Sequence, residues 1–183
     1  MREKIRNVAL AVAVTAVLST FNVQADEDLR VQSKQAIDDF KKADPSIATF
    51  FANSAGFAVF PDVGKGGFIV GGARGKGIVF EKGNPIGRAT MTQASIGAQA
   101  GGQTFEQVIF FETPGALSDF KSGKFEMSAD ISAVAASEGA SKSAAYKKGV
   151  AVFTLSKKGL MVQASVGGQK FKFEPEAMQP TGR

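Results

Sequence analysis

Residues 56–80 read GFAVFPDVGKGGFIVGGARGKGIVF. Short runs of aromatic and β-branched residues alternate here with glycines, a pattern typical of strands separated by tight turns. The same texture continues to about residue 173. The sequence therefore predicts an α+β fold in one β-rich domain, an antiparallel sandwich or partial barrel with covering helices.

Nine segments fit the strand pattern, and Lys157-Lys158-Gly159 fits a tight hairpin turn. The predicted strands are Phe57–Phe60, Phe68–Val70, Ile78–Phe80, Thr90–Gln99, Val108–Phe111, Phe125–Val134, Val150–Leu155, Leu160–Val166 and Gln169–Phe173. The segment Ser137–Lys148, rich in alanine and serine, fits a loop or a short helix.

Helices are predicted before and within this series. Residues 27–43 have apolar side chains on one helical stripe, including Phe40. Asp44-Pro45 then supplies a cap and a first-turn proline for a second helix. A third begins after Thr113, with Pro114 in its first turn. The stripes favour packing against the sheet, with membrane insertion as the alternative.

Residues 1–25 have the layout of a cleavable export signal. Basic residues at positions 2, 4 and 6 precede an uncharged stretch of 11 residues from Val8 to Leu18, and Val23-Gln24-Ala25 fits a cleavage site. The apolar run is shorter than the roughly 20 residues that a spanning helix needs, although a retained anchor is the alternative. We expect cleavage after Ala25 and a mature domain over residues 26–183, in the periplasm or secreted.

The sequence contains neither cysteine nor histidine. The export signal is therefore not that of a lipoprotein, and thiol catalysis, Ser-His-Asp triads and sites built on imidazole or thiolate are excluded. Ser118-Asp119-Phe120-Lys121 has the spacing of a serine–lysine nucleophile, but its partner motifs are missing. We expect no catalytic residue, no metal and no cofactor, and thus no enzyme.

The seven glycines between residues 64 and 77 predict a glycine-rich loop whose backbone amides could cradle phosphate. Five cations in and after this segment form a hypothetical lipid-headgroup site. The alternative is that the glycines serve hairpins or close strand packing. The glycines are Gly64, Gly66, Gly67, Gly71, Gly72, Gly75 and Gly77, and the cations are Lys65, Arg74, Lys76, Lys82 and Arg88.

These glycine blocks, in their order and spacing, resemble the SYLF domain over about residues 38–173. Further matching blocks follow at Thr92–Gly97 and Lys158–Gly168. The resemblance implies a lipid-binding module, since eukaryotic members bind phosphoinositide membranes, partly through an N-terminal amphipathic helix, and fungal members bind actin filaments. Two features depart from that pattern: the acidic start Asp26-Glu27-Asp28, and Arg88, where an aromatic residue commonly stands.

The chain carries a net charge of +5, and +3 without residues 1–25. This mild excess favours anionic surfaces, and export argues against a nucleic-acid partner. We expect non-enzymatic binding of lipid or of an anionic membrane surface. The alternative is an envelope protein partner, as in a structural or protein-interaction module analogous to the actin-binding branch. The sequence names neither the lipid nor an oligomeric state.

Overall fold

The fold is given by a computed structural model that describes residues 24–66, 72–94, 104–128, 130–157, 166 and 168–176. Residues 24–43 form helix α1. The other elements are the 3-10 helix Pro45–Ile47, α2 (Ala48–Asn53), β1 (Gly56–Gly66), β2 (Gly72–Glu81), β3 (Asn84–Ala94), β4 (Thr104–Phe111), α3 (Pro114–Lys121), β5 (Val134–Ala135), the 3-10 helix Ala140–Ser143, β6 (Val150–Ser156) and β7 (Gln169–Pro175).

The strands form one seven-stranded sheet in the order β5-β6-β4-β1-β2-β3-β7. Neighbouring strands are antiparallel except β5 and β6, which are parallel. Pro61, which cannot donate to a ladder, lies where the register of β1 shifts against both of its neighbours. The α+β class predicted from the sequence is confirmed.

The sheet curls strongly. Three strands separate β4 from β7, which in a flat sheet would place them about 19 Å apart. Yet the side-chain amides of Gln107 in β4 and Gln169 in β7 exchange hydrogen bonds of 2.8 and 3.0 Å. The face that carries both amides is therefore concave, and the sheet has the form of a partial barrel.

Helices cover both faces. On the concave face, Leu117 and Phe120 of α3 are buried in one core cluster, together with Phe60 and Phe111 of the sheet. On the convex face, a second cluster buries Phe40 of α1. Covering helices were predicted, and the structure adds that they lie on opposite faces.

The helix signals in the sequence are confirmed. Phe40 is 0% exposed, so the stripe of α1 packs against the sheet. Asp44 caps the following 3-10 helix by accepting from the backbone amide of Ser46, and Thr113 caps α3 by accepting from the amide of Ala116. Both caps satisfy backbone donors that have no partner within the helix.

One predicted strand is wrong. Over the described residues of Phe125–Val134, the structure has an isolated bridge between Glu126 and Lys170, and the short strand β5 begins only at Val134. Phe125 packs instead against Phe120, with ring centroids 6.0 Å apart. Four predicted features lie wholly or partly outside the described residues: the strand Phe68–Val70, residues 95–99 of the strand Thr90–Gln99, residues 160–165 of the strand Leu160–Val166, and Lys158-Gly159 of the hairpin turn.

Candidate anion-binding surface

The predicted glycine loop consists mostly of strand. Gly64 and Gly66 belong to β1, and Gly72, Gly75 and Gly77 belong to β2, whereas Gly67 and Gly71 lie outside the described residues. A Cβ at Gly77 would lie 2.3 Å from the carbonyl oxygen of Val59 and 2.7 Å from the Phe60 ring. Close approach of β1 and β2 therefore requires glycine there, as the alternative interpretation held.

Arg74 and Lys76 lie on the convex face. They occupy alternate positions of β2 with Ala73 and Val79, whose side chains belong to the concave-face core, and strand side chains alternate between faces. Both cations are exposed. The structure thus brings these two predicted site residues together.

Two further lysines complete this surface, and sequence reasoning missed them. Lys76 pairs with Thr90 of β3, which pairs with Lys172 of β7, and Arg74 pairs with Thr92, which pairs with Lys170. Partners in a ladder lie on the same face, so all four cations point the same way. Lys170 and Lys172 are exposed. The four cations Arg74, Lys76, Lys170 and Lys172 are called the convex-face patch below.

The spacing of the patch follows from strand geometry. Cations two residues apart on one strand are about 7 Å apart, and those on β2 and β7 are about 10 Å apart. The hydroxyl groups of Thr90 and Thr92 lie in the column between them. Such an arrangement can offer charge and hydrogen bonds to the oxygens of several anionic groups together.

The other predicted site residues are placed differently. Lys82 has a φ of 51° beside Gly83 at 80°, as in a two-residue hairpin turn, and lies roughly 20 Å along β2 from Lys76. The backbone of Lys65 pairs with Ala73, and its side chain lies outside the described part of the chain.

Arg88 lies on the convex face, in the row next to Lys76, Thr90 and Lys172. Two carboxylates contact it. It forms ion pairs with Asp26 of α1 and, at 3.9 Å, with Glu174 of β7. Glu174 also accepts a 2.8 Å hydrogen bond from Lys172. This bond, followed by the charges of Lys172, Arg88 and Lys76, lowers the pKa of Glu174. The two departures from the SYLF pattern, Asp26 and Arg88, thus contact each other.

A buried carboxyl group lies elsewhere on the convex face. Glu106 of β4 is 6% exposed, and its Oε2 atom has no hydrogen-bond partner among the described residues. Burial raises the pKa of Glu106 to about 7; the charges of Asp39 and Asp62 also raise it, and Lys157 lowers it. Glu106 has no role in the convex-face patch, but its raised pKa makes the stability of the protein depend on pH.

Asp44 has a structural role beyond its cap. Its carboxylate accepts hydrogen bonds from the backbone amides of Ser46, Gly139 and Ser141. Burial alone would raise the pKa of Asp44, but the hydrogen bonds from Ser46 and Ser141 outweigh it and lower the pKa to about 2. Asp44 therefore ties the end of α1 to the segment that follows β5.

Several phenylalanine rings on the concave face pack against one another and do not line a cavity. Phe111 and Phe120 have ring centroids 4.9 Å apart, and Phe120 and Phe171 are 5.2 Å apart. A cleft of about 530 Å³ beside β5 and β6 is instead lined by alanines, valines, serines, Ile131 and Lys147.

Within the described ranges, no group of three or more acidic side chains is placed to hold a metal ion. None of the helices in those ranges combines the length and the apolar character needed to cross a bilayer.

Comparison with known proteins places these features in a family. A family model described as "Ysc84: Las17-binding protein actin regulator" matches residues 92–179. Residues 92–179 belong to the SYLF family. The SYLF family is a family of binding domains. The matched region begins in β3 and includes all of β7, and so includes Lys170 and Lys172 of the patch.

A curated relative agrees with this assignment. Over 130 residues, 69% of this chain, the sequence is 30% identical to "Beta cell expansion factor A" of Aeromonas veronii, a bacterial SYLF-family protein. The aligned region covers 49% of that relative, so the chain spans about half its length.

Proposed function

We propose that this protein binds anionic lipid surfaces in the bacterial periplasm or envelope, without catalysis, through the convex-face patch. The observation that carries the proposal is the alignment of Arg74, Lys76, Lys170 and Lys172 in two ladders across β2, β3 and β7. No ion pair is described for Arg74 or Lys170 in the part of the chain that the structure covers. Their charge is therefore available to an external anion.

The number of cations sets the expected strength of binding. Each cation near an anionic membrane surface contributes about 1 kcal/mol to binding, and salt screens the contribution. Because the patch lies on paired strands, the backbone positions of its cations are fixed before binding, and only the exposed side chains have to be ordered. We therefore expect reversible binding whose affinity falls steeply as the salt concentration rises.

The test is co-sedimentation with vesicles of phosphatidylcholine alone and of equimolar phosphatidylglycerol and phosphatidylcholine, across a salt series. The double variant Arg74→Glu/Lys76→Glu should lose about 30-fold in affinity for the anionic vesicles at low salt, and less at high salt. Lys142→Glu/Lys147→Glu is the matched control, because it makes the same charge change at exposed positions near β5 and should lose less.

Two outcomes would contradict the proposal. One is equal losses in the patch and control variants, which would mean that net charge alone governs binding. The other is the absence of vesicle binding together with saturable binding to an envelope protein. That result would favour the protein-interaction function, with which the family description of a Las17-binding actin regulator agrees.

A further inference from the structure

The first turns of α1 are held against the sheet by ion pairs. Asp26 contacts Arg88 of β3, and Arg30, one turn later on the same stripe, contacts Glu176 just beyond β7. The fully buried side chains of this stripe begin further along, at Ser33, Ala36 and Phe40. Leu29, between the two ion pairs, is only partly buried against the convex-face core. The first turn of α1, before Leu29, is therefore attached by the Asp26–Arg88 ion pair, and the rest of the helix is attached by apolar packing as well.

These ion pairs are weak enough to be exchanged. The side chains of Asp26 and Arg88 are 39% and 45% exposed, and those of Arg30 and Glu176 are 30% and 42% exposed. Exposed ion pairs contribute between zero and about 1 kcal/mol, because water and salt screen them. An external anion that approaches Arg88 can thus replace Asp26 at little cost.

The position of Arg88 relates this contact to the patch. Arg88 pairs with Ile78 and Glu174, one ladder position from the row of Lys76, Thr90 and Lys172. Glu174 is fixed in the same ladder, whereas Asp26 is on a helix whose first turns lack fully buried side chains. Of the two carboxylates, Asp26 is the one that can leave.

We propose that Asp26 is a built-in competitor for the anion-binding surface: its carboxylate occupies Arg88 in the free protein and is displaced when a phosphate-bearing surface binds. Binding then adds a fifth cation to the patch and releases the first turn of α1, before Leu29, from the sheet. This inference rests on the proposed function and deepens it, because it assigns a regulatory contact to the same surface.

The test is a double-mutant cycle on the mature chain, residues 26–183, with affinity measured for equimolar phosphatidylglycerol and phosphatidylcholine vesicles at low salt. Asp26→Asn should tighten binding about fivefold, since it releases Arg88. In the Arg88→Gln background, Asp26→Asn should change affinity far less. Glu27→Gln is the matched control, because it removes the same charge from the same exposed turn, with no described contact to Arg88.

The outcomes separate the two proposals. If the unaltered protein does not bind these vesicles at all, the proposed function fails, and this inference fails with it. If the protein binds, the competitor role is overturned when Asp26→Asn gains no more than Glu27→Gln, or when the gain persists without Arg88. Thermal unfolding of each variant checks that the fold is unchanged, as expected for exposed charges.

Discussion

The side-chain amides of Gln107 and Gln169 each donate to and accept from the other, at 2.8 and 3.0 Å, and both residues are 0% exposed. They join two strands that are not neighbours in the sheet. Gln169 also donates to Gln93 of β3 at 3.4 Å. A buried amide pair of this kind is fully effective only when both members are present, because each satisfies the polar groups of the other.

Gln107→Leu should lower the free energy of unfolding by about 1–3 kcal/mol, because the buried side-chain oxygen of Gln169 loses the hydrogen bond that Gln107 donates. The double variant Gln107→Leu/Gln169→Leu should cost less than the sum of the two single changes. Urea unfolding monitored by circular dichroism measures all three. Strictly additive losses would show that the two amides do not act as a unit.

Glu106 should make the protein less stable as pH rises. The pKa of Glu106 is about 7 in the folded protein, against 4.5 for an ordinary glutamate. The folded protein therefore binds the proton of this carboxyl group more tightly than the unfolded chain does. The free energy of unfolding should therefore fall between about pH 4.5 and pH 7, by up to about 3 kcal/mol.

Glu106→Gln should remove this decline and stabilise the protein at pH 8. The exposed Glu138→Gln serves as the control, which should leave the pH dependence as it is. Thermal unfolding across that pH range is the measurement, and an unchanged slope in Glu106→Gln would refute the assignment.

Gly77→Ala should destabilise the fold strongly. The added methyl group would meet the Val59 carbonyl oxygen at 2.3 Å, so β1 and β2 would have to separate, and overpacking of this kind costs about 1–3 kcal/mol or more. Gly64→Ala is the matched control, because nothing lies within 4 Å of a Cβ there. Similar urea midpoints for the two variants would contradict the close-packing role of Gly77.

Phe40→Ala should lower the free energy of unfolding by about 3–5 kcal/mol, because the Phe40 ring is fully buried between α1 and the sheet. Val31→Ala on the same helix should change stability by less than about 0.5 kcal/mol, since Val31 is 58% exposed. Chemical denaturation distinguishes the two. A folded Phe40→Ala protein of normal stability that no longer binds vesicles would point instead to a membrane-inserting helix.

Export should yield a protein that starts at Asp26, if residues 1–25 are removed as we propose. Intact-mass measurement of periplasmic material tests this, and membrane-bound protein that retains residues 1–25 would indicate an anchor. Cleavage there would make the residue that contacts Arg88 the first residue of the mature chain.

Local sequence signals were sufficient to predict the helices but not the convex-face patch. The caps at Asp44 and Thr113 act within a few residues, so the sequence predicts them directly. The convex-face patch depends on which strands are neighbours, because Lys172 meets Lys76 only through Thr90 of the strand between them. The alternation in Gln169-Lys170-Phe171-Lys172-Phe173 does predict that both lysines share a face, and that signal was available.

The wrong strand and the glycine-rich segment depend on the same kind of physical effect. Apolar residues of Phe125–Val134 satisfy a strand pattern, yet Met127 and Ile131 are buried by packing on the concave face outside a ladder. Glycines likewise permit both turns and close strand contacts, and only the three-dimensional approach of Val59 to Gly77 decides between them. In both cases a tertiary contact outweighs the local preference.

The alternation of β2 also limits how this surface can evolve. Odd-numbered positions from Ala73 to Val79 face the concave core, and the even-numbered Arg74 and Lys76 face outward. A single-residue insertion or deletion inside β2 would exchange the two sets, burying two cations and exposing the core side chains. The charge of the patch can therefore drift by substitution, one residue at a time, whereas changes of length are confined to the connections between strands.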